Sequence, residues 1–124
     1  MGDLTKNFSR SEVACKGKDC CEHTAAVSPQ IMQVAQKVRD FMGERIDISS
    51  GFRCRRHNAS LPQSSPTSFH CTGQALDLRV PKGYGKKKKM LAFIRSLPEV
   101  TGIGIGRAYI HVDDGHKVRA EWVY

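Results

Sequence analysis

The 124-residue sequence has no run approaching the roughly 18–20 apolar residues of a membrane-spanning helix, which excludes an integral helical membrane protein. It is short of aromatics, with five Phe, three Tyr and one Trp, and lacks an arginine-rich tail interleaved with them, so no nucleic-acid partner is expected. Its first residues, Met1 to Lys6, lack the apolar segment of a secretory leader. No internal repeat, long linker or acidic excess is present. Twenty Lys and Arg stand against twelve Asp and Glu, a formal net charge of +8, which favours an anionic partner without saying which.

What remains is the composition of a folded protein: 40% hydrophobic and 26% charged residues, read as one domain over residues 1–124. A domain of this size buries only about two-thirds of its unfolded surface, so a bound metal would help it noticeably. The five cysteines (Cys15, Cys20, Cys21, Cys54 and Cys71) cannot all pair within one chain. The spacing Cys15-x4-Cys20-Cys21 is not that of a regular zinc finger. Buried thiols, or one or two bridges such as from the N-terminal cluster to Cys54, are therefore expected ahead of a second metal site.

Residues 8–16 read as a short helix, capped by Ser9 or Ser11 with Glu12 in its first turn. Residues 29–42 are the clearest helix. Ser28 is its cap and Pro29 its first residue, Gly43 supplies the stop, and Ile31, Val34, Ala35, Val38, Phe41 and Met42 form its apolar face. Residues 45–50 alternate as a strand, and 51–69 read as a long irregular loop. Residues 74–80 form a strand with Leu76, Leu78 and Val80 on one face and Ala75, Asp77 and Arg79 on the other. A helix follows over 86–97, opened by Lys86–Lys89, a run read as a solvated helix end or as an anion contact. Strands over 102–106, 108–113 and 118–124 complete a small α+β fold, with helices packed on one face of a mostly antiparallel sheet.

The polar faces of two strands carry the chemistry. Asp77 and His111 each point away from the core side, and His70 precedes Asp77 by seven residues at the mouth of its strand. If the strands are neighbours, two imidazoles and a carboxylate converge, a ligand set that leaves the fourth position of a catalytic zinc open. Taken singly, each residue has a plainer reading as a hydrogen-bonded structural group.

The stretches Ser50-Gly51-Phe52-Arg53-Cys54, His57-Asn58, Ser68-Phe69-His70-Cys71-Thr72-Gly73-Gln74-Ala75-Leu76-Asp77, Gly102-Ile103-Gly104 and Tyr109-Ile110-His111-Val112-Asp113, with Trp122 beyond, resemble the zinc D-alanyl-D-alanine carboxypeptidase family. That family includes L-alanyl-D-glutamate endopeptidases of phage lysis cassettes. The similarity is greatest to its short single-domain branch, which shares the hedgehog-like metallopeptidase fold, and it spans about residues 8–123. The Ser11-Glu12-Val13-Ala14-Cys15 opening resembles the same branch.

The resemblance implies one Zn2+ per chain on His70, Asp77 and His111, set on the sheet face opposite the helices. It implies Arg53 as the cation that steadies the scissile carbonyl or a substrate carboxylate. Ser68, Asn58 and Tyr109 are expected around the substrate, the first two as groups that shape the loop or back those that touch it. Many members carry a general-base Glu or Asp three residues before the last His ligand, where this chain has Ala108. Asp113, on the same face as His111, is then either the substitute base or the group that orients the imidazole. Asp114, Glu121 and His116 are weaker candidates, with His116 expected in a solvent-facing loop. The implied activity is hydrolysis of a peptidoglycan stem peptide next to a D-residue, by an enzyme expected to be a monomer, working at the cell wall or periplasm and released by lysis. The alternative is a zinc-stabilised module, weakly active or inactive, that binds wall peptide or a protein partner.

Overall fold

The computed structural model describes residues 2–18, 20–21, 23–62, 65 and 67–124. In chain order the elements are α1 (Arg10–Val13), α2 (Pro29–Met42), β1 (Ile48–Ser50), α3 (Arg55–Ser60), a 3-10 turn (Phe69–Thr72), β2 (Ala75–Arg79), α4 (Lys86–Arg95), β3 (Gly102–Ile105), β4 (Tyr109–Asp113) and β5 (Ala120–Val123). The strands form one sheet in the order β1-β2-β4-β3-β5. Every pairing is antiparallel except β3 with β5, which runs parallel. No helix is long and apolar enough to cross a membrane among the described residues.

Helix α2 occupies the expected residues because both of its ends are chemically marked. The Ser28 Oγ accepts the Ile31 N–H at 3.1 Å, and Gly43 ends the helix at φ +69°. Its buried face differs in part from the periodic expectation. Met32 and Gln36 are buried, whereas Phe41 is 43% exposed and stacks on Phe93 of α4 at 4.1 Å between centroids. Gln36 tolerates burial because its amide is fully used: its oxygen accepts from Thr5 Oγ1 and the Asn7 N–H, and its nitrogen donates to Asn7 and Asp40.

Helices α2 and α4 cover one face of the sheet. Val34, Val38, Met90 and Ile94 meet Leu76, Leu78, Ile103, Ile110 and Val112 in one buried apolar cluster, closed at its rim by Phe8 and Val13. The Lys86–Lys89 run is engaged by the fold itself. Lys86 pairs with Glu44 at 2.6 Å, Lys87 donates to the Gly106 carbonyl at 2.7 Å, and the Lys89 ammonium lies 5.3 Å from the Phe41 ring centre.

Two expectations are corrected. Residues 51–69 are not wholly irregular: Cys54 caps a six-residue helix, its Sγ accepting the His57 N–H at 3.4 Å. The Ser- and Pro-rich composition that follows masks this turn in the sequence; residues 63, 64 and 66 of the stretch lie outside the described residues. The helix expected over 8–16 contracts to α1, held by the Ser9 N–H donating to Glu12 Oε2 at 2.7 Å. The last strand, β5, lies beside β3 and parallel to it. Arg119 donates from its guanidinium to the carbonyls of Arg95, Leu97 and Val100, at and beyond the end of α4, which ties down the segment that leads into β5.

Leu78 is fully buried on the core face of β2, between the strand carrying Ser50 and the strand carrying His111. Leu78→Ala is expected to cost about 3 kcal/mol of stability, measured by urea denaturation. A loss below about 1 kcal/mol would show that the sheet and helices are not packed through this position.

Candidate metal centre and active site

The sheet register sets the site. Asp77 on β2 stands opposite Ser50 of β1 and His111 of β4; His111 stands opposite Gly104 of β3, and Gly104 opposite Trp122 of β5. One rank of side chains thus crosses the whole sheet on the face away from α2 and α4. Two glycines make this possible. A Cβ on Gly102 would lie 2.1 Å from Asp113 Oδ2, and one on Gly104 would lie 2.8 Å from the Trp122 indole nitrogen. Both side chains need the space that a side chain on β3 would fill.

His70 arrives from outside the sheet. The Ser68 Oγ accepts the His70 N–H at 3.2 Å and starts the 3-10 turn, which brings the imidazole back over β2. His70 Nδ1 donates to the Gly51 carbonyl at 2.7 Å, which leaves Nε2, 3.2 Å from Asp77 Oδ1, as the atom that carries either a proton toward Asp77 or a metal. His111 Nδ1 lies 3.1 Å from the same oxygen, and the two imidazole centres are 5.2 Å apart. His70, Asp77 and His111 are all buried and could hold a metal ion. Two imidazole nitrogens and a carboxylate oxygen are the donors a catalytic zinc takes, and they meet here at one point.

The electrostatics are those of a compressed charge cluster. Burial pushes the Asp77 carboxyl upward, but hydrogen bonds and charge from His111 and His70 outweigh it and hold the group far below the usual carboxylate range. Burial opposes a charged His111, yet the hydrogen bonds to Asp113 and Asp77 prevail and raise its pKa. Asp113, itself fully buried, is likewise held low against desolvation by His111 and His116. The Arg53 guanidinium reaches the other Asp77 oxygen, Nη2 to Oδ2, at 3.5 Å.

A cleft of about 780 Å3 opens above the three residues. Arg53, Ser68 and Tyr109 line it. Asn58 does not. It is 2% exposed; its Nδ2 donates to the Ser65 carbonyl at 2.7 Å, and its Oδ1 faces Arg53 Nη1 at 3.4 Å. It backs Arg53 rather than meeting a substrate, and Ser50 Oγ, accepting from Arg53 Nε at 3.0 Å, holds the guanidinium from the other side.

Asp113 has both oxygens committed. Oδ2 accepts from His111 Nε2 at 2.8 Å, and Oδ1 accepts from His116 Nδ1 at 2.8 Å and from the Gly115 N–H at 3.2 Å. This is the geometry of a group that orients imidazoles. His116, expected in a solvent-facing loop, lines the cleft instead, edge-on to Phe69 at 5.0 Å and 5.6 Å from Trp122. Trp122 and Tyr124 form the aromatic wall beside it. The interval of three between Asp113 and His116 was the available signal for this pair, but no strand or helix period leads across the Asp114-Gly115 turn. Ala108 is exposed and does not line the cleft.

The raised His111 pKa fixes the sign of one prediction. Before a metal is bound, Nδ1 holds its proton to a higher pH than an ordinary imidazole, and a metal ion must displace it. The component of zinc affinity that His111→Ala removes should therefore strengthen as pH rises through the ordinary histidine range and above it, with protons released on binding. Calorimetric titration in buffers of different ionisation enthalpy measures both. An affinity flat across that window would show that His111 does not give up a proton to the metal.

The family model for peptidase M15 matches residues 6–113. No curated protein matches the chain. The matched span takes in His70, Asp77, His111, Asp113 and the Arg53 loop, and it covers well over half of the sequence: the chain belongs to the peptidase M15 family.

Proposed function

We propose that this metallopeptidase hydrolyses a peptide bond next to a D-amino acid in peptidoglycan stem peptides, acting as a D-Ala-D-Ala carboxypeptidase or an L-Ala-D-Glu endopeptidase with zinc on His70, Asp77 and His111. The observation that carries the reading is the convergence of both imidazoles on one oxygen of Asp77, on the floor of a cleft that also holds a guanidinium. A zinc ion in such a donor set supplies Lewis acidity, making water nucleophilic near neutral pH and polarising a carbonyl.

The remaining roles belong to the chain's own side chains. Arg53, fixed by Ser50 and Asn58, presents a permanent positive charge to the developing oxyanion or to a substrate carboxylate. Asp113 sets the orientation of His111 through Nε2 and of His116 through Nδ1. His116 is then left with Nε2 as its acceptor atom in the cleft, the position from which it takes a proton during attack and returns it to the leaving amine. His116 thus fills the role for which Ala108 offers no carboxylate. Tyr109, Trp122 and Tyr124 supply apolar surface for the peptide. The net charge of +8 favours approach to an anionic wall polymer.

Isolated peptidoglycan and defined stem peptides, followed for new amino termini and for free D-Ala, identify the bond. His116→Ala is expected to lower kcat by roughly 10²- to 10⁴-fold with the metal retained. Asp113→Asn should weaken metal binding by roughly 10- to 100-fold as well as reducing turnover. Full activity in His116→Ala would return the base role to Asp113. Metal-loaded protein that cleaves no stem peptide would replace the peptidase with a wall-peptide binding module.

A further inference from the structure

A second cluster of ligand-type side chains lies away from the cleft. Cys15, Cys20, Cys21 and Cys54 place their Sγ atoms all within 4.8 Å of one another. All five cysteines of the chain are free thiols, and Cys71 stands outside the group. We infer that these four cysteines form a second metal centre, a tetrathiolate site for zinc that is structural and clamps the N-terminal segment onto the loop carrying Arg53.

The spacing between the sulfurs carries the argument. Cys15 lies 3.8 Å from Cys20 and 3.8 Å from Cys54, and Cys20 lies 3.9 Å from Cys21. Zinc–thiolate bonds of about 2.3 Å directed to the corners of a tetrahedron separate neighbouring sulfurs by about 3.8 Å. Four cysteines, three from one loop and one from 39 residues beyond Cys15, share one small volume, with three of their separations at that value and all of them within 4.8 Å.

The surrounding backbone is built to hold them there. The Cys15 N–H donates to the Thr24 carbonyl at 2.8 Å, and Thr24 Oγ1 donates to the Cys21 carbonyl at 2.7 Å. His23, at φ +58°, donates from Nδ1 to the Cys15 carbonyl at 2.9 Å. These contacts close the loop that contains the first three sulfurs. A Cβ on Gly17 would lie 2.6 Å from Cys20 Sγ and 2.9 Å from His57, so only glycine lets the loop pass this close to α3. Cys54 Sγ already accepts the His57 N–H, which fixes where it points.

The charge balance is favourable. Binding converts four thiols to thiolates, releases four protons to solvent, and leaves a net charge of −2 with Zn2+. Lys16, Lys18, Arg55 and Arg56 flank the ligands in sequence and outnumber the two flanking carboxylates, Asp19 and Glu22, so the local sequence charge opposes that of the centre. Four closed thiolate positions leave no place for water, which makes the site structural rather than catalytic.

The position of Cys54 gives the site its purpose. It follows Arg53 directly, and the segment before it is tied to both halves of the molecule. The Phe52 N–H donates to the Val13 carbonyl at 2.8 Å, the Arg53 N–H to the His70 carbonyl at 3.1 Å, and the Gly51 carbonyl accepts from His70 Nδ1. A metal on Cys54 therefore anchors the loop that fixes both the Arg53 guanidinium and the His70 tautomer.

The test is metal content of the full chain, prepared without chelator under mild reductant. About two zinc ions per chain are expected, falling to about one in His70→Ala and to about one in Cys54→Ser, with Cys71→Ser unchanged. Cobalt added to metal-free His70→Ala should give an intense thiolate-to-cobalt charge-transfer band with tetrahedral d–d absorption. That reading needs no activity and does not depend on Cys54→Ser folding. Alkylation of native wild type should reach Cys71 only, and all five thiols after chelator is added. No zinc in His70→Ala, cobalt without a thiolate band, or intact-mass loss of two hydrogens per pair showing disulfides among the four would overturn the proposal. One zinc in wild type that persists undiminished in His70→Ala, with the thiolate band present, would instead count against the catalytic assignment.

Discussion

The buried carboxylate of Asp77 is the constraint on which the site depends. An ionised carboxyl buried on an inner strand of a small sheet is costly unless its charge is met. Here His70 and His111 meet one oxygen and Arg53 meets the other. Each of those partners needs a support of its own: Gly51 for His70, Asp113 for His111, Ser50 and Asn58 for Arg53. The polar network therefore spreads from one side chain through β1, β4 and the 51–73 segment. A metal ion placed among the three ligands replaces protons with a stronger positive charge at the same point.

The opposite face of the sheet makes that arrangement affordable. Leu76 and Leu78 alternate with Asp77 on β2, and Ile110 and Val112 with His111 on β4, so the strands that present the ligands also anchor the apolar core under α2 and α4. A register slip of one residue would turn the charged residues into the core, so the two faces enforce each other. The cysteine cluster lies beside a part of the site that the sheet does not hold. Arg53 sits on a loop, and its neighbour Cys54 joins three N-terminal thiols.

Much of this was legible from residues. The helix over 29–42, the alternation around Asp77 and His111, and the helix from Lys86 each carry a local signal: a capping serine, a period of two, an apolar stripe. The ligand trio was legible because a strand fixes which neighbours share a face. The cap by Cys54 was hidden because sulfur is an uncommon cap and the following stretch is rich in Ser and Pro. His116 was hidden because a turn separates it from His111, and periodicity does not carry across a turn. Asn58 matched a family pattern, but only packing shows that its amide faces inward to Arg53 and Ser65.

The sequence by itself determined the α+β class, the extents of the main helix and central strands, and the identity of the three metal-ligand candidates, since these follow from local periodicity and motif. Only the tertiary structure decided how β5 runs beside β3, which oxygen of Asp113 meets which imidazole, and that four cysteines spread over 40 positions share one volume. Those outcomes rest on contacts between residues distant in the chain, and such contacts exist only once the sheet register and loop closures have been set together.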